Sequence, residues 1–309
     1  MKTLRNIIII FAGIYLLLII AAYLPVETVT IDRLTTPGSS FIDIDGKKIH
    51  YTKTGKGPAL ILVHGFGGGL FVWDKLIPLL SDNFTLYAID LPGFGLSEKP
   101  HKGCYSMQCQ AEIVQNFIKA LDLQSVTIIG HSMGGVIAAL CSINAPETIS
   151  RLVIVEGGFY HGGAPAFVKY LFFPLQKLNA RLFYTKAGRR QSLLASYSDK
   201  DLLTDELVDK YLSIGKTPNA VNALAAMMKN EGAATHEGIS SRVTHPTLLV
   251  WSPENKNNPL SDGKRLQREI NGSELAIIKN SGHYIQDEQP EALAAEMINF
   301  LKIQSDENN

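Results

Sequence analysis

The segment Gly130-His131-Ser132-Met133-Gly134 constrains this chain most, because it joins a predicted strand directly to a predicted helix. The mostly apolar run 125–129 precedes it, and the apolar run 136–140 follows it. A turn this tight strains the backbone of its central residue and leaves no room for flanking side chains, which favours glycine on both sides. The hydroxyl of Ser132 is then exposed as a candidate nucleophile. The N–H of Met133, at the start of the helix, is a candidate donor to an oxyanion.

Two further segments fall where such a serine needs partners. The glycine-rich run 64–69 follows a strand-like apolar run, and its bare N–H groups include that of Phe66, the second candidate oxyanion donor. Late in the chain, His283 follows Gly282 and the predicted strand 275–278, where a general base is required. A solitary histidine is more often a surface or core residue, but this position favours a catalytic role.

Together these motifs resemble the α/β-hydrolase superfamily over residues 39–303, because they occur in the order that the family shows. The resemblance includes the segment 90–97, in which Asp90, Gly93 and Gly95 match family residues that mostly shape a turn. It implies an α/β fold with a mostly parallel, doubly wound sheet and an inserted helical cap. It also implies hydrolysis by a serine, a histidine and an acid.

The acid of this triad has three candidates. Where the family usually has W-G-x-x-D after a late strand, this chain has Asn255, whose amide cannot stabilise an imidazolium. In the haloalkane dehalogenase branch the acid is a glutamate after the preceding strand, and that resemblance implies Glu156. Glu254 and Asp262 are the alternatives, because their loop could bend either of them toward His283. A carboxylate that merely caps the next helix is the plain structural interpretation of Glu156.

A serine nucleophile implies an acyl-enzyme, whereas the dehalogenases and epoxide hydrolases of this fold attack with an aspartate. We therefore expect hydrolysis of a carboxylic ester, in which His283 removes the proton of Ser132 and the N–H groups of Phe66 and Met133 hold the oxyanion. Two alternatives stay open. One is another serine hydrolase reaction, on a C–C bond, a lactone or an amide, and the other is a non-catalytic ligand-binding homologue.

The predicted cap gives the clearest indication of the substrate. Aromatic and basic residues alternate from Phe167 to Arg190, and no acidic residue occurs from position 159 to 198. This pattern favours a hydrophobic, acyl-chain-bearing or lipid ester and a lid that faces a membrane. An ordinary amphipathic cap whose apolar face lines the pocket is equally compatible with the pattern.

The N-terminus predicts a membrane anchor. Residues 7–24 are almost entirely apolar and follow Lys2 and Arg5. As a helix, these 18 residues span roughly 27 Å, close to the thickness of a bilayer core. A cleaved signal peptide is the alternative, but the run is long for one and lacks a clean A-x-A site. We expect an uncleaved single-pass signal anchor with residues 1–6 in the cytoplasm and the catalytic domain on the non-cytoplasmic side.

The remaining chain is predicted to form one catalytic unit with an inserted cap. Its parts are a linker (25–38), the hydrolase core (39–156 and 246–309) and the helical cap (157–245). The pair Asp45-Gly46 predicts a hairpin at the start of the sheet. A formal charge of zero indicates no basic excess for nucleic acid, and no Cys/His cluster has metal-ligand spacing, so we expect no cofactor and no metal. Cys104 and Cys109 are candidates for pairing if the domain faces an oxidising compartment.

Overall fold

The structure is a computed structural model that describes residues 2–160, 174–231 and 235–306. Its strands are β1 (Ser39–Ile44), β2 (Lys47–Gly55), β3 (Ala59–Val63), β4 (Thr85–Ile89), β5 (Val126–His131), β6 (Ile149–Val155), β7 (Thr247–Trp251) and β8 (Glu274–Ile277). Its α-helices are α1 (Lys2–Tyr23), α2 (Ile77–Leu80), α3 (Met107–Ala120), α4 (Met133–Asn144), α5 (Leu175–Phe183), α6 (Lys186–Ser196), α7 (Asp205–Gly215), α8 (Ala220–Glu231), α9 (Leu260–Glu269), α10 (Ile285–Glu288) and α11 (Pro290–Asp306).

The eight strands form one sheet in the order β1-β2-β4-β3-β5-β6-β7-β8. The pairs β1–β2 and β2–β4 are antiparallel, and all other pairs are parallel. Asp45 and Gly46 adopt the positive φ angles, 53° and 73°, that a tight hairpin between β1 and β2 requires. The mostly parallel α/β sheet and its antiparallel opening are therefore confirmed.

Hydrophobic side chains cover both faces of the sheet, as the apolar strand sequences require. In β5, for example, Ile128 belongs to the cluster on the side of α3 and α4, whereas Ile129 belongs to the cluster on the side of α2 and α11. Because β3, β5, β6 and β7 are parallel, the loops that follow them leave the sheet at the same edge. Phe66, Ser132, Glu156 and Asn255 lie in these four loops or turns, and the fold therefore gathers them in one region.

Between β6 and β7 the described chain forms the four helices α5 to α8, within the predicted cap 157–245. Buried Arg189 of α6 joins them to the core, because its Nη2 donates a hydrogen bond to the carbonyl oxygen of Gly67 at 3.1 Å. The Arg189 guanidinium also lies over the rings of Phe183 and Tyr211. The cap thus rests on the loop after β3. The aromatic stretch 167–173 of the cap prediction lies outside the described residues.

The N-terminal helix α1 stands apart from the core. Its segment Arg5–Tyr23 has a mean hydropathy of 2.5, and only 6% of it is buried. By length and composition this segment could cross a membrane. Its end contacts the cap, where Arg181 Nη1 donates to the carbonyl oxygen of Leu24 at 2.6 Å and Lys177 Nζ lies 3.8 Å from the centre of the Tyr23 ring.

The three cysteines fall into two kinds. Cys104 and Cys109 form a disulfide at the start of α3. Cys141 of α4 is a buried free thiol, and burial raises its pKa. It therefore serves as an apolar packing residue, as its neighbours in the sequence suggest.

Candidate active site

Ser132 occupies the turn between β5 and α4, with φ 53° and ψ −115°. Residues other than glycine rarely adopt a positive φ, so this backbone is strained. A Cβ added at Gly130 would lie 2.1 Å from the carbonyl oxygen of Gly134, and one added at Gly134 would lie 2.2 Å from the carbonyl oxygen of Val63. The close approach of these backbones explains both glycines of the motif.

Ser132 and His283 border one narrow cavity together with Phe66. The cavity leaves about 10 Å³ for the centre of a water molecule, which is room for about one water. Its other lining residues are Gly65, Gly68, Val72, His131 and Tyr284. The structure thus brings the predicted nucleophile, the predicted base and one predicted oxyanion donor to the same place. Met133 follows as the first residue of α4, where an N–H has no acceptor within the helix.

Asp90 organises the loop that carries Phe66. Its Oδ1 accepts from the N–H of Leu70 at 2.6 Å, and its Oδ2 accepts from the N–H of Leu96 at 2.8 Å and lies 2.7 Å from His50 Nδ1. Burial alone would raise the pKa of Asp90, but the hydrogen bond and charge of His50 hold that pKa below its usual value. Gly95, at φ 48°, leaves no space for a Cβ beside Asp90. Asp90 therefore has the turn-shaping role predicted from the sequence.

Glu156, Asn255 and His283 form a chain of hydrogen bonds at the end of β6 and β7. Asn255 Nδ2 donates to Glu156 Oε2 at 2.6 Å and lies 3.0 Å from His283 Nδ1. The N–H of Ser252 donates to the other oxygen of Glu156 at 2.6 Å. The side chains of Glu156, Asn255 and His283 are all buried. The predicted acid and base are therefore connected through the amide of Asn255.

The two alternative acids have other surroundings. The carboxylate of exposed Glu254 accepts from the hydroxyl of Ser252 at 2.8 Å and from the N–H of Asn280 at 3.2 Å. Asp262 is buried in the first turn of α9, and its charge contributes to raising the pKa of Glu156. Glu156 is linked to the histidine by hydrogen bonds through Asn255.

Burial dominates the electrostatics of the site, because it removes charged forms from water. Burial, together with the neighbouring His131, holds the pKa of His283 well below its usual value. Burial also raises the pKa of Glu156 well above its usual value, against the hydrogen bonds that its oxygens accept. His283 is therefore neutral at pH 7, as a general base must be.

Two residues that sequence reasoning does not single out hold the histidine loop. His131 Nε2 donates to the carbonyl oxygen of His283 at 2.8 Å. Glu288 Oε1 accepts from the N–H of Gly282 at 2.6 Å, and its Oε2 accepts from the N–H of Ser198 in the cap at 2.8 Å. The position of His131 inside the serine motif could have indicated its role, whereas no sequence signal marks Glu288. The loop is thus fixed to β5 on one side and to the cap on the other.

The arrangement contains the groups that nucleophilic catalysis requires: a hydroxyl at a strained turn, a neutral imidazole on the same cavity and a buried carboxyl behind it. Within the described ranges, no group of three or more histidine, cysteine, aspartate or glutamate side chains could hold a metal ion.

Comparison with known proteins defines the class. A family model described as the alpha/beta hydrolase fold matches residues 58–290, well over half of the chain. The chain therefore belongs to the alpha/beta hydrolase fold family.

Two curated proteins illustrate the relationship. The uncharacterized hydrolase YugF of Bacillus subtilis (strain 168) is 29% identical over 263 residues, which are 84% of this chain and 96% of that protein. The 2-hydroxy-6-oxononadienedioate/2-hydroxy-6-oxononatrienedioate hydrolase of Escherichia coli O139:H28 (strain E24377A / ETEC) is 27% identical over 277 residues, 85% of this chain and 95% of that protein. Among solved structures, a membrane phospholipase A described as a bacterial virulence factor aligns with a TM-score of 0.73 and 24% identity, over 97% of this chain and 98% of that one. This structural likeness concerns the fold alone.

Proposed function

We propose that this hydrolase is a membrane-anchored serine esterase that cleaves carboxylic esters with a hydrophobic acyl chain. The observation that carries the proposal is the cavity shared by Ser132 and His283, with Ser132 held at positive φ at the start of α4. A hydroxyl becomes a nucleophile when a neutral imidazole can take its proton. Attack of a serine hydroxyl on an ester carbonyl forms an acyl-enzyme intermediate.

In the proposed reaction, His283 removes the Ser132 proton as Oγ attacks the ester carbonyl. The N–H groups of Met133 and Phe66 hold the oxyanion, and each such donor lowers the barrier by about 3 kcal/mol in other serine hydrolases. The alcohol leaves with the proton from the imidazolium. Water, deprotonated by His283, then releases the acid. Glu156, which is linked to His283 through the Asn255 amide, is the proposed acid of the triad.

The cavity lining supports a hydrophobic substrate. Phe66, Val72 and Tyr284 contribute apolar groups, and among the described residues the lining includes no lysine or arginine. The dioate substrate in the name of the E. coli relative carries two carboxylates, which proteins usually bind with cationic groups. Hydrolysis of such a dianion is therefore the less suitable alternative for this cavity.

Three observations support the membrane part of the proposal. The apolar side chains of α1 are exposed, Lys177 and Arg181 place the cap beside the end of that helix, and the Cys104–Cys109 disulfide suits an oxidising compartment. The alignment with the membrane phospholipase A covers 97% of this chain and thus extends into the first 38 residues. These observations favour a non-cytoplasmic catalytic domain next to a lipid surface.

Labelling with a fluorophosphonate probe tests the nucleophile. We expect the probe to label the full chain. Ser132→Ala should lose the label, and its ester turnover should fall by roughly 1,000-fold or more. Ser241→Ala, a control at an exposed serine, should keep both the label and the turnover. In the same assay, Glu156→Gln should slow turnover more than Glu254→Gln or Asp262→Asn. Labelling that survives in Ser132→Ala would refute the assignment of the nucleophile.

A chain-length series of p-nitrophenyl esters tests the substrate class. If the substrate carries a hydrophobic acyl chain, kcat/KM should rise from the acetate to medium and long acyl esters, by up to about 0.8 kcal/mol of binding per buried methylene. A preference for acetate would contradict the hydrophobic substrate while leaving the serine mechanism intact.

A further inference from the structure

The orientation of the Asn255 amide is fixed by its surroundings. Its Oδ1 accepts hydrogen bonds from the backbone N–H groups of Asn257 at 2.9 Å and Asn258 at 3.3 Å. Its Nδ2 contacts a carboxylate oxygen of Glu156 at 2.6 Å. Exchange of the oxygen and the nitrogen would set the NH₂ group against these two N–H donors. The amide therefore has one orientation in this environment.

This orientation determines the tautomer of His283. The Asn255 NH₂ group has two hydrogens; one is donated to Glu156, and the other points to His283 Nδ1 at 3.0 Å. Nδ1 must then be the acceptor, so the single hydrogen of the neutral ring is on Nε2. A base that takes the Ser132 proton at Nε2 needs the opposite tautomer, with Nε2 bare and the hydrogen on Nδ1.

We propose that Asn255 is a positioning residue that holds His283 in the unreactive tautomer, and that the base becomes competent only when the Asn255 amide turns. The turned amide presents Oδ1 to the Nδ1–H of His283. The ring loses its hydrogen from Nε2 and gains one on Nδ1, exchanged through water with no net change in protons. This inference rests on the proposed serine hydrolase function and concerns the regulation of the same site.

Turning the amide has a defined structural cost. It breaks the two hydrogen bonds from the backbone of the loop 257–258 and the bond to Glu156. Each bond of this kind shifts an equilibrium by roughly 2-fold to 10-fold. The reactive arrangement is therefore a minor state of the resting site, and removing the need for rotation should accelerate the enzyme.

Asn255→Asp removes that need, because one carboxylate oxygen can accept from the loop N–H groups while the other accepts from the Nδ1–H of His283. The same oxygen accepts from Glu156, which keeps its proton because burial raises its pKa. We expect kcat/KM for an ester to rise about 10-fold or more, in contrast to the loss that an altered structural residue produces. The acid limb of the pH–rate profile should move to higher pH, because the new carboxylate favours the imidazolium. Asn271→Asp, which adds the same charge at an exposed position outside the site, is the control and should change neither quantity by more than about 2-fold.

The effect of Glu156→Gln should depend on residue 255. With Asn255 present, the side-chain NH₂ of the glutamine faces another donor in either orientation: the NH₂ of Asn255 or the N–H of Ser252. One hydrogen bond is therefore lost, and turnover falls. With Asn255→Asp, the glutamine oxygen accepts from Ser252 and its NH₂ donates to the new carboxylate, so turnover is unchanged or rises. A loss of the same size in both backgrounds would overturn the proposal.

Nitrogen-15 NMR of histidine-labelled protein reads the tautomer directly and needs no turnover. The signals of His283, assigned by their loss in His283→Gln, should show a hydrogen on Nε2 in the native chain and on Nδ1 in Asn255→Asp. A hydrogen on Nδ1 in the native chain would overturn the proposal, even if Asn255→Asp fails to fold. If the fluorophosphonate label were absent from Ser132, the hydrolase function would fail, and the tautomer would still be measured.

Discussion

At the scale of single residues, His131 links the active site to the stability of the protein. It is fully buried between the serine and histidine loops, and its Nε2–H donates to the carbonyl oxygen of His283. Its Nδ1 has no hydrogen-bond partner among the described residues. Burial therefore lowers the pKa of His131 to about 4, because a charged ring would be poorly solvated there.

The lowered pKa predicts an acid-sensitive fold. Between pH 6.5 and pH 4 the unfolded chain binds a proton at His131 that the folded protein does not bind, so this residue's contribution is intact above pH 6.5 and is lost as the pH falls. The change amounts to about 3 kcal/mol over the shift from 6.5 to about 4. Urea unfolding at pH 7 and pH 4.5 should show a smaller loss of stability in His131→Gln than in the native protein. Exposed His101→Gln is the control; an equal pH dependence in all three proteins would contradict the prediction.

At the scale of secondary structure, the sequence predicts best those turns and elements whose geometry is determined by residues close together in the chain. The hairpin at Asp45-Gly46 and the strand-turn-helix at Ser132 are confirmed, because turn geometry and glycine spacing act within a few residues. The bridge through Asn255 could not be predicted in this way. It depends on how the loops after two different strands meet. From the sequence alone, Asn255 indicates only that the usual acid of the family is absent at this position.

The contact between the cap and the core is a second feature that no local sequence pattern predicts. The basic stretch of α6 contains Arg189 and Arg190 side by side, yet Arg189 is buried against Gly67, whereas Arg190 is partly exposed and pairs with Asp205. Helix periodicity places two adjacent residues on different faces, but it does not say which face meets the loop after β3. The loop's own conformation, with Gly67 at φ 67°, completes that contact.

We expect Arg189→Met to uncouple the cap from the loop after β3. Methionine keeps most of the apolar packing but removes the donor to the Gly67 oxygen, so the loop of Phe66 loses a constraint. The free energy of unfolding should fall by about 1–3 kcal/mol, and kcat for an ester should fall with it. Arg190→Met, the adjacent control, should cost less than about 1 kcal/mol because its ion pair is exposed. Equal losses in urea unfolding and turnover for the two variants would contradict this role.

At the scale of the whole molecule, the N-terminal helix and the cap form one surface. The exposed apolar side chains of α1 end at Tyr23, and the basic side chains Lys177 and Arg181 of α5 contact that end directly. If α1 crosses a membrane, these contacts hold the cap at the level of the lipid headgroups, where tyrosine, lysine and arginine are favoured. Membrane attachment and substrate entry would then share one side of the protein.

Fractionation tests this arrangement. The full chain should stay with membranes through high-salt and alkaline washes, because the mostly apolar segment Arg5–Tyr23 of α1 would have to leave the bilayer core. Ile14→Lys combined with Leu17→Lys places two charges on exposed positions of that helix, at a cost of several kcal/mol in the bilayer, and should release the protein or prevent insertion. Ile14→Leu with Leu17→Ile is the matched control and should remain bound. Release of the unmodified chain by salt alone would show that α1 is not an anchor, and the positions of Lys177 and Arg181 would then reflect packing of the cap rather than contact with lipid.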